Sequence, residues 1–299
     1  MKNTRSYLLI IITIAVLIDT ASCNRAAATP TAMPTLQPGS HQRTLMVKGL
    51  SRTYLLHVPP GLDSLRPVPV VLAFHGYSGN GSSFRDVTGF DDIADNNGFL
   101  VVYPEGAGGD HSWNASGCCA GAMMSKVDDI AFVRQLLSDL GAIANIDPKR
   151  IYAAGHSNGA MFVYRLACEM SYTFAAVAPV SGPLFYSPCQ PSQPVSVMHV
   201  HGLADSIVPY AGGVLSSVPG LIFPSVEQGI AAWVQLDGCT GEAQVEKQGI
   251  VTHTVHVSCR AGTAVESYTI DGLEHSWAQP DIWPTSKMIW GFFAAHPKP

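Results

Sequence analysis

Short apolar runs alternate along this chain with segments whose apolar residues recur every three or four positions. RTLMVKG and RTYLLHVPP, beginning at Arg43 and Arg52, read as an antiparallel pair of strands. VPVVLAFHG, from Val68, is a buried strand, and a second lies near Phe99 to Tyr103. VDDIAFVRQLLSDLGAIAN, from Val127, has the spacing of an amphipathic helix. The run Ile151 to Ala154 is a strand, and AMFVYRLACEM after it is helix-compatible. AAVAPVSG and VSVMHVHG read as further strands, followed by a helix around Val226 to Leu236, the pair VTHTVHV and VESYTI, and a closing helix from about Ser286 to Ala295. Strands alternating with helices predict an α/β fold, a mostly parallel sheet covered on both faces. No internal repeat is evident.

At the junction of one strand and one helix stands GHSNG, Gly155 to Gly159. A sharp strand-to-helix turn there lifts Ser157 clear of the backbone, where a base can reach an otherwise poor nucleophile. A Cβ on either glycine is expected to collide with the neighbouring strand and helix. Asp205 opens DSIVPY directly after VSVMHVHG, and His275 lies in LEHSW after VESYTI. The order Ser157, Asp205, His275 is that of the α/β-hydrolase fold, not of the chymotrypsin or subtilisin types. Reactive groups in an open α/β sheet gather beyond the carboxyl ends of strands, so residues distant in sequence converge there. An oxyanion needs preorganised donors. The amide of Asn158 is one candidate, and the amide of Tyr77, after the pair His75 and Gly76, is the other.

LAFHG, VVYPEG, SWNASGCCAGA, VDDIAFVRQLL, DPKRIYAAGHSNGAMFVYRLAC, FAAVAPVSG, HVHGLADSIVPY and EHSW together resemble the secreted carbohydrate esterase family 1 and polyhydroxybutyrate depolymerase-like esterases of the α/β-hydrolase superfamily. The resemblance runs from Leu72 to Trp277. It implies a secreted serine esterase with Ser157 as nucleophile, His275 as base and Asp205 as orienting acid, working without a cofactor. The implied substrate is a feruloyl or acetyl-xylan ester first, and a polyhydroxyalkanoate second. Where such proteins commonly carry glycines before the histidine, this chain has Leu273 and Glu274, which bears on loop shape and substrate choice. An oligopeptidase-like peptidase shares the elbow and the residue order, but 299 residues are expected to leave no room for a large gating domain. A non-catalytic member normally loses a triad residue, and all three are present here.

A net charge of -5 and 13% charged residues provide no basic face for nucleic acid. Lys2 and Arg5, the apolar Tyr7 to Ile18, and small residues up to Cys23 make residues 1–23 a signal peptide. TASC resembles a bacterial lipobox, so Cys23 is a lipidation candidate and a possible membrane tether. Residues 24–40, rich in Ala, Thr and Pro, read as a flexible linker, and residues 41–299 as one catalytic domain. Of seven cysteines, removing Cys23 leaves six. Export permits bridges: Cys168 with Cys189, Cys239 with Cys259, and Cys118 and Cys119 either as an adjacent disulfide or as two thiols. Zinc wants spaced cysteine pairs with histidines, and none is present in the sequence, so no metal is expected.

Among eleven histidines, His57 and His253 are expected on strand faces or the surface. His75 and His201 occupy matching HG turns and are expected to pack those turns rather than act on substrate. Asp128 and Asp129 read as capping and dipole partners of a helix start. Trp113, Trp277 and Tyr77 read either as core aromatics or, lying beside the reactive loops, as lining of the acyl or leaving-group pocket, and Trp113 and Trp277 are taken as the substrate-binding candidates.

Overall fold

A computed structural model describes residues 36–299, apart from 64, 119 and 215–220. Its strands are β1 (Gly39–Val47), β2 (Leu50–Val58), β3 (Val68–Phe74), β4 (Leu100–Pro104), β5 (Ile146–His156), β6 (Ala176–Val180), β7 (Ser196–Gly202), β8 (Gly213–Val214), β9 (Ile222–Phe223), β10 (Gln244–Gln248), β11 (Val251–His256) and β12 (Val265–Ile270). The helices are α1 (Gly81–Thr88), α2 (Phe90–Asn97), α3 (Ala120–Met124), α4 (Asp129–Gly141), α5 (Asn158–Glu169), α6 (Val226–Leu236) and α7 (Thr285–Ala295).

The main sheet has ten strands in the order β1-β2-β4-β3-β5-β6-β7-β12-β11-β10. From β4 to β12 neighbouring strands run parallel, while β1 and β2 at one margin and β11 and β10 at the other pair antiparallel. β3, β6 and β7 are buried along their whole lengths, as apolar runs in a doubly covered parallel sheet require. The two-residue period then divides each strand between two cores. Val70, Leu72 and Phe74 face one core with Phe132 and Leu136 of α4, Phe162 of α5 and Trp233 of α6. Val71 and Ala73 face the other with Phe84, Phe90, Ile289 and Phe293, from α1, α2 and α7.

β1 begins at Gly39, opposite Val58, so the last two residues assigned to the linker belong to the sheet. The leader, Cys23 and residues 24–35 lie outside the described residues. Cys168–Cys189 ties the end of α5 to the loop after β6, and Cys239–Cys259 closes a second loop. Both pairs match the expectation. Cys118 is buried and disulfide-bonded, and Cys119 lies outside the described residues.

Asp128 caps α4, accepting from the Ala131 amide at 2.9 Å. Asp129 stands in the first turn of α4, where a dipole partner is expected, and it has closer partners as well. Its fully buried carboxylate pairs with Arg52 Nη1 at 2.7 Å and accepts from the Asn114 amide at 2.8 Å. A buried charge needs such partners more than it needs a helix dipole.

Candidate active site

β5 ends at His156 and α5 begins at Asn158, leaving Ser157 alone at the turn with φ 57° and ψ -121°. The turn is this tight because α5 crosses directly over the sheet. A Cβ at Gly155 would lie 2.6 Å from the Gly159 carbonyl, and one at Gly159 would lie 2.3 Å from the Phe74 carbonyl. Gly182, after β6, was not singled out by the sequence, yet a Cβ there would sit 2.4 Å from the Ser157 carbonyl. The signal available was the VSG ending of an apolar strand.

Asp205 follows β7 and His275 follows β12, the parallel neighbour of β7. The two loops cross at Gly202, where a Cβ would approach the Leu273 carbonyl to 2.1 Å. Glycine at residue 202 thus makes room for the histidine loop. Leu273, standing where glycine is common, buries its side chain in the core beneath.

Ser157 Oγ lies 2.9 Å from His275 Nε2, and His275 Nδ1 lies 2.7 Å from Asp205 Oδ2. The remaining Asp205 oxygen accepts from the amides of Ile207 at 3.0 Å and Val208 at 2.8 Å. Burial works to raise this carboxyl, but donors from His201, His275 and Val208 outweigh it and hold it well below the usual carboxylate range. A hydroxyl donating to an imidazole that itself donates to a fixed carboxylate can transfer its proton as it attacks a carbonyl carbon. Asp271, the aspartate close to His275 in sequence, pairs with Lys247 Nζ at 2.8 Å.

Beneath this line lies His156, another residue the sequence did not single out, because the position before the elbow serine carries no pattern. Its ring centroid is 4.8 Å from that of His275. Burial first, and the neighbouring His275 second, push the His156 imidazole down to about 3, so it is neutral at pH 7.

The loop after β3 reaches the same turn: a Cβ on Gly76 would lie 3.3 Å from Ser157 Cβ. This places the Tyr77 backbone beside the serine, with its side chain half exposed. His75 is buried and holds the loop, its Nδ1 donating to Gly76 O at 2.7 Å and its Nε2 accepting from the Gly106 amide at 3.0 Å. Burial pushes its pKa down to about 4. Asn158, in the first turn of α5, has an amide with no carbonyl one turn back to receive it.

The structure corrects the expectation for Trp113 and Trp277. Trp113 is fully buried, stacked on Phe162 at 5.4 Å and edge-on to Phe74 at 5.1 Å. Its Nε1 donates to His75 O at 2.9 Å, and its backbone exchanges two hydrogen bonds with the Asn158 side chain at 2.7 and 3.0 Å. It joins the two loops beside Ser157 from behind. Trp277 packs edge-on against Phe84 and Phe90 in the opposite core and donates to Ser286 Oγ at 3.0 Å. The indole N–H groups found partners inside the protein, which fixed both rings away from solvent. Tyr77, following Gly76, and Leu203 and Ile207, two residues either side of Asp205 in the chain, are exposed. Among the described residues, no cluster of three or more His, Cys, Asp or Glu is placed to hold a metal ion.

A family model described as "Esterase PHB depolymerase" matches residues 52–248. The chain belongs to the Esterase PHB depolymerase family. Similar proteins include feruloyl esterase B of Piromyces equi, 29% identical over 250 residues that cover 81% of this chain and 44% of that protein. This member of the Esterase PHB depolymerase family therefore spans less than half of that relative. Putative esterase NocK of Nocardia uniformis subsp. tsuyamanensis is 29% identical over 305 residues, covering 88% of each. The acetyl xylan esterase from Aspergillus awamori shares the fold, with a TM-score of 0.60 and 16% identity over 85% of this chain and 99% of that one.

Proposed function

We propose that this chain is an exported serine carboxylic-ester hydrolase acting through an acyl-enzyme. The observation that carries the reading is the unbroken line from Ser157 through His275 to the buried Asp205. In the acylation step His275 takes the Ser157 proton as Oγ attacks the ester carbonyl, then returns it to the leaving alcohol. Asp205 holds the imidazole and stabilises the cation it becomes. The amides of Tyr77 and Asn158 receive the oxyanion. In deacylation His275 draws a proton from water, the hydroxide adds to the acyl carbon, and Ser157 leaves with that proton restored.

An aromatic acyl ester of the feruloyl type is the favoured substrate, supported by the name of the Piromyces equi relative. Tyr77, next in the chain to the Gly76 that approaches Ser157, is half exposed and offers a planar surface for such a group. A hydroxyalkanoate polyester is the second reading, supported by the exposed Leu203 and Ile207, which give a long apolar chain a rim to lie on. Export is supported by the bridges Cys168–Cys189 and Cys239–Cys259, since disulfides persist in oxidising compartments. Acid release from methyl ferulate, acetylated xylan and a hydroxybutyrate oligomer tests the assignment. Fastest turnover of methyl ferulate supports it, and a preference for the oligomer replaces it with the polyester reading. Cleavage of peptides without cleavage of nitrophenyl esters contradicts both.

A further inference from the structure

Behind Asp205 runs a line of three buried polar side chains that the ester chemistry does not use directly. Tyr164 lies on α5, two turns after Ser157, and His199 and His201 lie on one side of β7. Tyr164 Oη is 2.9 Å from His199 Nδ1, His199 Nε2 is 3.1 Å from His201 Nδ1, and His201 Nε2 is 2.8 Å from Val208 O. The same His201 Nε2 is 3.4 Å from Asp205 Oδ2, the oxygen that holds His275. All three side chains are at most 1% exposed.

Only one arrangement of protons satisfies this line with neutral rings. A carbonyl oxygen cannot donate, so His201 Nε2 must carry a hydrogen for Val208 O. His201 Nδ1 is then a lone pair, which requires His199 Nε2 to donate. His199 Nδ1 is in turn a lone pair, which requires the Tyr164 hydroxyl to donate. With the other tautomer, the His201 Nε2 lone pair would face both Val208 O and the Asp205 carboxylate.

We infer that His201 is a positioning residue for Asp205, its Nε2–H held on Val208 O at 2.8 Å and also facing the carboxylate at 3.4 Å, and that Tyr164 and His199 support this tautomer by donating along the line so that His201 Nδ1 remains an acceptor. The inference rests on the esterase reading of the Ser157 site. It extends the site inward: the helix that starts at the nucleophile also sets, through Tyr164, the hydrogen that faces the acid.

The full-length protein labelled with 15N-histidine tests the lock without reference to activity. Long-range proton–nitrogen spectra at pH 7 are expected to show His199 and His201 neutral and protonated at Nε2. His201 protonated at Nδ1, or doubly protonated, overturns the inference. His201→Phe is expected to shift the His275 Nδ1 proton resonance and to lower kcat on nitrophenyl acetate about tenfold or more, the scale for losing a hydrogen bond to a charged group. KM should stay unchanged, and His201→Gln, whose amide can donate from the same place, should recover most of the loss. Wild-type kcat in His201→Phe, or Gln no better than Phe, contradicts a positioning role. Should His201→Phe not fold, Tyr164→Phe, which leaves the His199 Nδ1 lone pair without a donor, is expected to shift the His199 and His201 ring-nitrogen resonances and lower kcat at constant KM. An unchanged spectrum with unchanged kcat in that variant overturns the inference. An inactive wild type with the expected histidine spectra instead refutes the esterase reading, leaving the resonance shift in His201→Phe to judge the link to Asp205.

Discussion

A residue other than glycine held with positive φ and ψ far from the helical value costs on the order of 1–3 kcal/mol and persists only where its surroundings over-determine it. At Ser157 those surroundings are visible: Gly155 against Gly159, Gly159 against β3, and Gly182 against the serine carbonyl. Ser157→Ala keeps this backbone and the packing, so its melting temperature should match the wild type while kcat falls roughly 10⁴-fold or more. His275→Ala and Asp205→Asn should behave likewise in turnover. Activity near wild type in folded Ser157→Ala contradicts the serine mechanism. Gly159→Ala should do the opposite, because its Cβ meets backbone at 2.3 Å with no side chain free to yield. A large loss of thermal stability or of soluble protein is expected, and a normal melting curve contradicts the crossing.

At the scale of elements, the chain announces what is buried and hides what is not. β3, β7 and α4 were legible because burial on one or both faces forces an apolar run or a helical period into the sequence. β10 was not, since all five of its residues are exposed and no alternation marks it. α1 and α2 also escaped notice. They are eight residues each, separated by Gly89 at φ 58° and ended by Gly98 at φ 70°, so their Asn, Ser and Gly content reads as loop. That Ser157, Asp205 and His275 converge was legible from the strands they follow, whereas the facing of Trp113 and Trp277 was not. Sequence neighbourhood to a reactive loop does not tell on which side of the loop a ring lies. Because Trp113 braces the Tyr77 and Asn158 loops from the core, Trp113→Ala should lower kcat/KM for feruloyl and acetyl esters by similar factors and lower the melting temperature. A selective loss on feruloyl esters at constant stability returns Trp113 to the pocket. The Cys168–Cys189 bridge anchors the far end of α5, and reduction should cost about 2–4 kcal/mol of stability for each bridge. Melting curves with and without reductant measure it, and identical curves contradict the bridges.

For the molecule as a whole, the polar groups buried around the site predict how stability responds to acid. His75 is pushed from its ordinary 6.5 down to about 4 by burial, and His199 is lowered by the same cause. Between these values the unfolded chain takes up a proton that the folded chain refuses, so the histidine contribution is complete above about pH 6.5 and is lost as pH falls. The slope should reach about 1.4 kcal/mol per pH unit for each such histidine. Asp205, lowered in the folded state, acts in a different window. Its contribution is complete above the unfolded value of about 4 and is lost only as pH falls below that. Denaturant midpoints should therefore decline from pH 6.5 downward and decline further below pH 4. A flat profile between pH 7 and pH 5 contradicts the neutral burial of the histidines.

The proposed chemistry requires that an ester be cleaved through a covalent bond to Ser157. Acid-quenching the enzyme during turnover of a nitrophenyl ester, followed by intact-mass and peptide mass analysis, tests it most directly. One acyl group per chain is expected, carried on the peptide containing Ser157 and missing in Ser157→Ala. An acyl group on another residue, or steady turnover by Ser157→Ala without any adduct, contradicts it.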